Sequence, residues 1–358
     1  MTPISICVIA KNEEKHMDNF LVAIKKYMKN YPHEIVLVDT GSTDRTVEIA
    51  EKYNCKIYHF EWINDFSAAR NYSIQCAAFQ WILVLDCDEY IAKLDLSGLQ
   101  QLMIHSPKAV GLLSCRNHSW SNDTEQMLTN DLNRFFNKKY YHYEDIIHEQ
   151  LVANDGNSYV MLPIPLIVDH YGYAGSQDDL ARKVARNNEL LFKQLQENPS
   201  DPYIYYQLGQ SYYLIDDYEN AKIYLEKGLA LVEDTRYDYV HYMVNIYGSV
   251  MLCLGLYQDI LTFLESNYDA FSISADFSCL MGSVYLRNQK YIKAMQEFLK
   301  ATSYKTCDTE GNNTYVPLFN MGYINELLGD NESAKKLYQS CGNYPAALNR
   351  LKLLEQYF

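Results

Sequence analysis

The sequence predicts an α/β domain built on a mostly parallel sheet, followed by an all-α domain of repeated helical hairpins. Three observations carry this reading. Short apolar runs alternate with helix-period segments through the first half of the chain. From about residue 180 the period is helical throughout, and a glycine-centred pattern then recurs four times. Length agrees, because 358 residues exceed one ordinary core and a prior of roughly 150 residues per domain asks for two.

The first strand is ISICVIA (4 to 10), and KNEEKHMDNFLVAIKKYMKN puts Met17, Leu21, Ile24 and Met28 on one helical face. EIVLVDTGSTD (34 to 44) is a second buried strand ending in a turn, where Ser42, Thr43 or Asp44 caps the helix of TVEIAEKY. CKIYHF (55 to 60) is a third strand, DFSAARNYSIQCAA (65 to 78) a helix, and WILVLD, from residue 81, a fourth strand. Strands alternating with helices imply a parallel sheet covered on both faces. Such sheets bind ligands where strands end in loops, and DTGSTD and DCDE both sit at such ends.

After DHYGYAGSQDDLARKVARNNELL the chain changes character. LGQSYYLIDDYENAKIYL, YGSVMLCLGLYQDILTFL, MGSVYLRNQKYIKAMQEFL and MGYINELLGDNESAKKLY align on Gly209, Gly248, Gly282 and Gly322, at offsets of 39, 34 and 40 residues. Ala221, Ile260, Ala294 and Ala334 each fall twelve residues later. Small residues at fixed places let two antiparallel helices approach closely, and this pattern resembles tetratricopeptide repeats. Asp201 and Pro202 open the first repeat. Tyr212, Tyr218, Tyr257, Tyr285 and Tyr291 belong to the pattern and are read as core. The expected division is 1–175 for the α/β domain, 176–200 for a helical connector and 201–358 for about four repeats.

Composition excludes several classes. The net charge is −14, with 15 basic against 22 acidic residues up to Gly175 and 16 against 23 after it, so no basic patch favours nucleic acid. Nine scattered cysteines without a CxxC pair read as reduced thiols, hence a cytoplasmic protein. The N-terminus reads as a first strand rather than a signal peptide. No apolar stretch approaches the roughly 20 residues of a transmembrane segment. AKNEE stands where a dinucleotide-binding GxGxxG would follow the first strand, and there is no GxxxxGK[ST].

The chemistry concentrates in WILVLDCDEY (81 to 90), an apolar run stopped by three acids. Uncompensated carboxylates are expensive to bury, so they are expected at a strand end facing a ligand. In an extended strand end Asp86 and Asp88 share a face and Cys87 points back. Two close carboxylates repel unless a cation joins them, and Mg²⁺ or Mn²⁺ held by carboxylates and substrate phosphates meets that need.

ISICVIAKNEEKHM, EIVLVDTGSTDRT, DFSAARNYSI and LVLDCDEY, in this order, resemble the nucleotide-sugar domain of family 2 glycosyltransferases, which has the Rossmann-like GT-A fold. The resemblance covers about the first 175 residues and implies the following roles. The donor, expected to be a UDP-sugar, is held by Ala10, Lys11, Glu13, Asp39, Ser42, Arg70, Asn71, Asp86 and Cys87. Asp39 accepts from the uracil N–H, and Arg70 faces the diphosphate. Asp88 and His170, the latter following the strand-like LIVDH, are the metal ligands. Arg182, Lys183 and Arg186 close over the phosphates or form a solvated helix face. LNRFFNKKYYHYEDIIHEQL (132 to 151) carries Arg134 and then His148 and Glu149, in the manner of an Arg-Leu-Phe-like strand followed by His-Glu. Inversion needs a base on the acceptor: Glu149 is the first choice, Asp145 the second, and His148 orients the base or caps a helix.

The layout is similar to bacterial transferases that glycosylate peptides or proteins, including the S-glycosyltransferases of glycosylated bacteriocins. It implies a peptide or protein acceptor, with the repeats binding acceptor or a second subunit as a homodimer. The alternatives are a lipid-linked or oligosaccharide acceptor in cell-envelope assembly, and an inactive scaffold working through its repeats.

Overall fold

The computed structural model describes residues 1–121, 124–171 and 177–356. It divides into two compact units, Met1–Ser176 and Gln177–Phe358.

In the first unit the order is β1 (Ile4–Ala10), α1 (Glu14–Met28), β2 (His33–Asp39), α2 (Thr46–Lys52), β3 (Lys56–His59), α3 (Phe66–Cys76), β4 (Trp81–Val84), β5 (Glu89–Leu94), α4 (Leu96–His105), β6 (Val110–Ser121), β7 (Thr124–Asn137), β8 (Tyr141–Glu144), β9 (Gln150–Ala153) and β10 (Met161–His170). Eight strands form one sheet in the order β3-β2-β1-β4-β7-β6-β10-β5, and β8 and β9 form a separate two-stranded sheet. β3, β2, β1 and β4 are parallel, whereas β7 joins β4 antiparallel. Period-two alternation sorts each central strand between two cores. Ile4, Ile6, Val8, Leu37, Trp81 and Leu83 face one side with Met17, Leu21, Ile24 and Met28 of α1. Cys7, Val36, Ile82 and Val84 face the other with Ile74 of α3 and Tyr141, Tyr143 and Leu151 of the small sheet. Burial on both faces is why these strands read as unbroken apolar runs. Each such side chain contributes about 1.5–3 kcal/mol.

The sequence predicts the parallel strands and makes WILVLD one extended strand. The structure ends β4 at Val84 and turns at DCDE, where the Glu89 amide donates to the Asp86 carbonyl at 3.0 Å. The chain then re-enters the sheet as β5, next to β10.

The second unit runs α5 (Gln177–Glu197), α6 (Pro202–Leu214), α7 (Tyr218–Leu231), α8 (Asp238–Cys253), α9 (Tyr257–Ser266), α10 (Tyr268–Phe271), α11 (Ala275–Arg287), α12 (Tyr291–Ala301), α13 (Tyr315–Leu327), α14 (Asn331–Ser340) and α15 (Pro345–Gln356). Asp201 caps α6 through Tyr203 N at 2.8 Å, with Pro202 at the first helical position. Asp217 and Asp330 cap α7 and α14 in the same way, at 3.2 and 3.0 Å. The aligned glycines are close-approach positions. A Cβ on Gly209, Gly282 or Gly322 would lie 2.5, 2.7 or 2.8 Å from Leu225, Phe298 or Tyr338, each sixteen residues later in the hairpin partner. Gly248 instead meets Leu280 of the next hairpin, at 2.5 Å. The long connection between α12 and α13 is tied down by Asp276, which accepts from Asp308 N, Thr309 N and Asn312 Nδ2, all at 2.9 Å. All nine cysteines are free thiols. Among the described residues no helix is long and apolar enough to cross a membrane.

Candidate active site

The C-terminal ends of β1, β2 and β4 gather the expected residues, in two groups. The first surrounds Asp39, the last residue of β2. Its buried carboxylate accepts from Ser42 N at 3.0 Å and Gly41 N at 3.4 Å and lies 3.3 Å from His59 Nδ1. Gly41 takes a φ of +102°, a value glycine adopts without strain, so the loop curls back over the carboxylate. Thr40 N donates to the Ala10 carbonyl at 2.9 Å, and Asn12 N to Ser42 Oγ at 3.0 Å. Glu13 N donates to Thr46 Oγ1 at 2.7 Å. The β1 and β2 loops are thus laced together, with Lys11 exposed beside them. The helix α2 is served by Asp44, whose Oδ1 accepts from Thr46 N at 2.9 Å.

The second group is a charge cluster, with Arg70 and Glu89 buried and Asp86 and Arg134 partly buried. Arg70 of α3 pairs with Asp86 at 3.0 Å and, through Nε, with Glu149. Arg134 of β7 reaches the same Asp86 at 3.1 Å and Glu89 at 3.6 Å. Burial opposes the Asp86 charge, but the two guanidiniums outweigh it and hold the carboxyl well below the usual range. Glu89 goes the other way: burial and neighbouring Asp86 raise it, and its Oε2 accepts Asp86 N at 3.0 Å to close the DCDE turn. Arg70 Nη1 is buried without a partner among the described residues.

The turn also separates the two acids. Asp86 faces the arginines, whereas Asp88 Oδ2 lies 3.4 Å from His170 Nε2, so the shared face expected of an extended strand end does not form. Cys87 is buried, with its Sγ 3.9 Å from the Ile9 carbonyl. Among the described residues no group of three or more His, Cys, Asp or Glu forms a ready cation cage. Asp88 and His170 still fit as two ligands. His170 Nδ1 lies 2.7 Å from Asn117 Oδ1, a contact that sets the ring so that Nε2 faces Asp88. Burial lowers the His170 pKa, and Asp88, Glu89 and Asp86 overcome this and raise it above its ordinary value. Positive charge is favoured between them.

The three expected base residues lie on the loop between β8 and β9. Glu149 enters the cluster through Arg70. His148 sits beside it at φ +51°, its Nε2 buried and unpartnered among the described residues, and burial lowers its pKa. Asp145, at φ +70°, is exposed and outside the cluster. Two non-glycine residues with left-handed backbone in one short loop store strain of the kind found at functional sites. Asn71 is not in the cluster either. Its Nδ2 donates to the Tyr143 carbonyl at 2.8 Å and its Oδ1 accepts Tyr143 N at 2.9 Å, so it fastens β8 to α3. Arg182, Lys183 and Arg186 lie on α5 in the second unit, where Arg186 bonds Asn187.

The sequence reading did not assign Arg134 and Asn117 to the site. Arg134 carried a signal, a cation within an apolar strand, which calls for a buried acid. Asn117 carried none, being one polar residue in a long hairpin.

Residues 5–155 match the family model for glycosyl transferase family 2, and residues 202–234 and 275–306 match a tetratricopeptide repeat model. A TPR repeat-containing protein of Synechococcus elongatus is 29% identical over 238 residues, 64% of this chain and 57% of that protein. The SPbeta prophage-derived glycosyltransferase SunS of Bacillus subtilis is 27% identical over 234 residues, 64% of this chain and 54% of that protein. An uncharacterized glycosyltransferase of Rickettsia bellii is 26% identical over 195 residues, 52% of this chain and 64% of that protein. The chain thus spans little more than half the length of the first two relatives. It joins a domain of glycosyl transferase family 2 to a run of tetratricopeptide repeats.

Proposed function

We propose that the chain is a metal-dependent inverting glycosyltransferase, which moves a sugar from a nucleotide-diphosphate donor, with UDP the expected nucleotide, to a side chain of a peptide or protein. The observation that carries this reading is the pairing of Asp88 and His170 beside a cluster holding two arginines, Arg70 buried and Arg134 partly so, at the strand ends of a family 2 domain. Asp39 and the laced β1 and β2 loops hold the nucleoside. Arg70, with Nη1 unspent, faces the diphosphate. Asp88 and His170 would hold Mn²⁺ or Mg²⁺, which supplies positive charge to the departing diphosphate. Glu149 takes the acceptor proton after exchanging its bond to Arg70 for one to the acceptor, and His148 supports it from within the loop. The repeats bind the acceptor or a second subunit.

The test is calorimetric titration of UDP with Mn²⁺ and with EDTA, on the native protein and on Asp88→Asn. Binding that needs both the metal and Asp88 is the expected result. Equal UDP affinity in EDTA and in the variant refutes the metal site, and no binding from folded protein refutes the UDP donor.

A further inference from the structure

A second site lies at the opposite end of the large sheet. A cavity of about 860 Å³ opens between the loop before β6, the start of β10 and the outer end of the β8–β9 sheet. β10 runs ten residues from Met161 beside this cavity to His170, roughly 30 Å of strand, so the two sites are separate.

The cavity is charged unlike the rest of this acidic chain. Lys108 and Lys139 both line it, and each ammonium lies 5.5 Å from the centre of the Tyr140 ring. Asn157 and, after it, Lys108 act on Asp155 and lower that carboxyl's pKa. Asp155 is the one acid of the lining. The lysines are also held from behind. Tyr141 Oη donates to the Lys108 carbonyl, and Asn154 Nδ2 donates to the Lys139 carbonyl at 3.0 Å. Tyr159 Oη, donating to the Leu151 carbonyl at 2.7 Å, fixes another wall.

Among polar lining residues, exposed apolar side chains stand at or near the cavity in sequence. Val160, in the lining, is 64% exposed, Met161 next to it 50%, and Ile104, two residues before Ser106 of the lining, 64%. These are three of the six large hydrophobics the first unit leaves exposed among its described residues. Exposed apolar groups close to a cavity that carries two cations are the kind of surface that marks an interaction site. Free phosphate would use the lysines and leave the apolar side chains unexplained. An anionic amphiphile uses both.

We infer that this cavity takes the phosphate head group of an anionic lipid between Lys108 and Lys139, with Ile104, Val160 and Met161 meeting the acyl region of the membrane surface. The unit would then rest on a bilayer by this end, without any spanning helix.

The test is co-sedimentation of the full chain with vesicles of phosphatidylcholine containing phosphatidylglycerol, against vesicles of phosphatidylcholine alone, with calorimetry of glycerol 3-phosphate as the soluble arm. Binding to the anionic vesicles only, weakened by salt, is expected. The double variant Lys108→Glu/Lys139→Glu should lower it about tenfold or more. Val160→Asp, which keeps both lysines, should lower it as well. Unchanged urea midpoints keep these losses from being unfolding. Vesicle binding that survives both variants, or no vesicle binding at all, overturns the inference. Glycerol 3-phosphate binding that needs the lysines, without vesicle binding, assigns the cavity to soluble phosphomonoesters and overturns the lipid.

Discussion

The two units arrange their charged side chains in opposite ways. The first concentrates it: Arg70, Asp86, Arg134, Glu89 and Glu149 meet in one contiguous cluster at the strand ends. The second distributes it as tyrosine-to-carboxylate bonds between helices: Tyr247 to Glu226 at 3.0 Å, Tyr268 to Glu297 at 2.6 Å, Tyr285 to Glu265 at 3.1 Å and Tyr338 to Glu326 at 2.8 Å. These separate tyrosine-to-carboxylate bonds reinforce each repeat interface locally, and Glu226, Glu265 and Glu326 each also pair with a lysine or arginine. A cluster of full charges is costly to desolvate and persists where positioning of charge is needed.

The largest effect should come from unbalancing the cluster. Asp86→Asn leaves Arg70 and Arg134 sharing too little negative charge and should cost about 3–5 kcal/mol, read as a lower urea midpoint at unchanged m-value. A loss below about 1 kcal/mol would mean that water or the remaining acids already balance the arginines.

Glu34 sharpens the contrast within the first unit, at the other end of β2 from Asp39. It is buried, pairs with Lys56 Nζ at 2.6 Å and accepts from Ser5 Oγ and from Ala78 N at 2.6 Å. Burial alone would raise its pKa, but these donors together lower it. The stabilisation it gives is therefore full above the unfolded value near 4.5 and is lost as pH falls through the lower folded value. Glu34→Gln should flatten stability against pH in that acid window and cost roughly 1.5–3 kcal/mol at neutral pH. An unchanged acid limb would remove Glu34 from the account.

In the second unit the test is steric. Gly282→Ala drives a Cβ to 2.7 Å from Phe298 and should cost about 1–3 kcal/mol. Gly41→Ala, which meets no atom within 4 Å but sits at φ +102°, isolates backbone strain from crowding. The smallest effect is expected for Tyr285→Phe, roughly 1 kcal/mol or less, since Lys293 still pairs with Glu265 at 2.9 Å.

Much of the fold was legible because the central strands are buried on both faces and the repeats carry a fixed glycine offset. The antiparallel hairpin of β6 and β7 was not: the polar cluster Ser121 to Thr124 signals a turn between them, but nothing local says which sheet the pair joins. In the site, Asp88 and His170 were legible as acid and histidine at strand ends. The separate courses of Asp86 and Asp88 were not, because a period-two rule applies to extended chain and DCDE is a turn. Asn71 was legible as a polar residue beside Arg70, but its double bond to Tyr143 depends on β8 arriving from 72 residues away.

The anchoring of the α12–α13 connection by Asp276 has a consequence for how the second unit meets proteases. Lys305 is exposed within that connection, and cleavage there requires the segment to leave its place and extend into an enzyme cleft. One carboxylate with three donors opposes that departure. Asp276→Ala should therefore turn Lys305 into an early tryptic cut, with the helical hairpins on either side surviving as two resistant fragments.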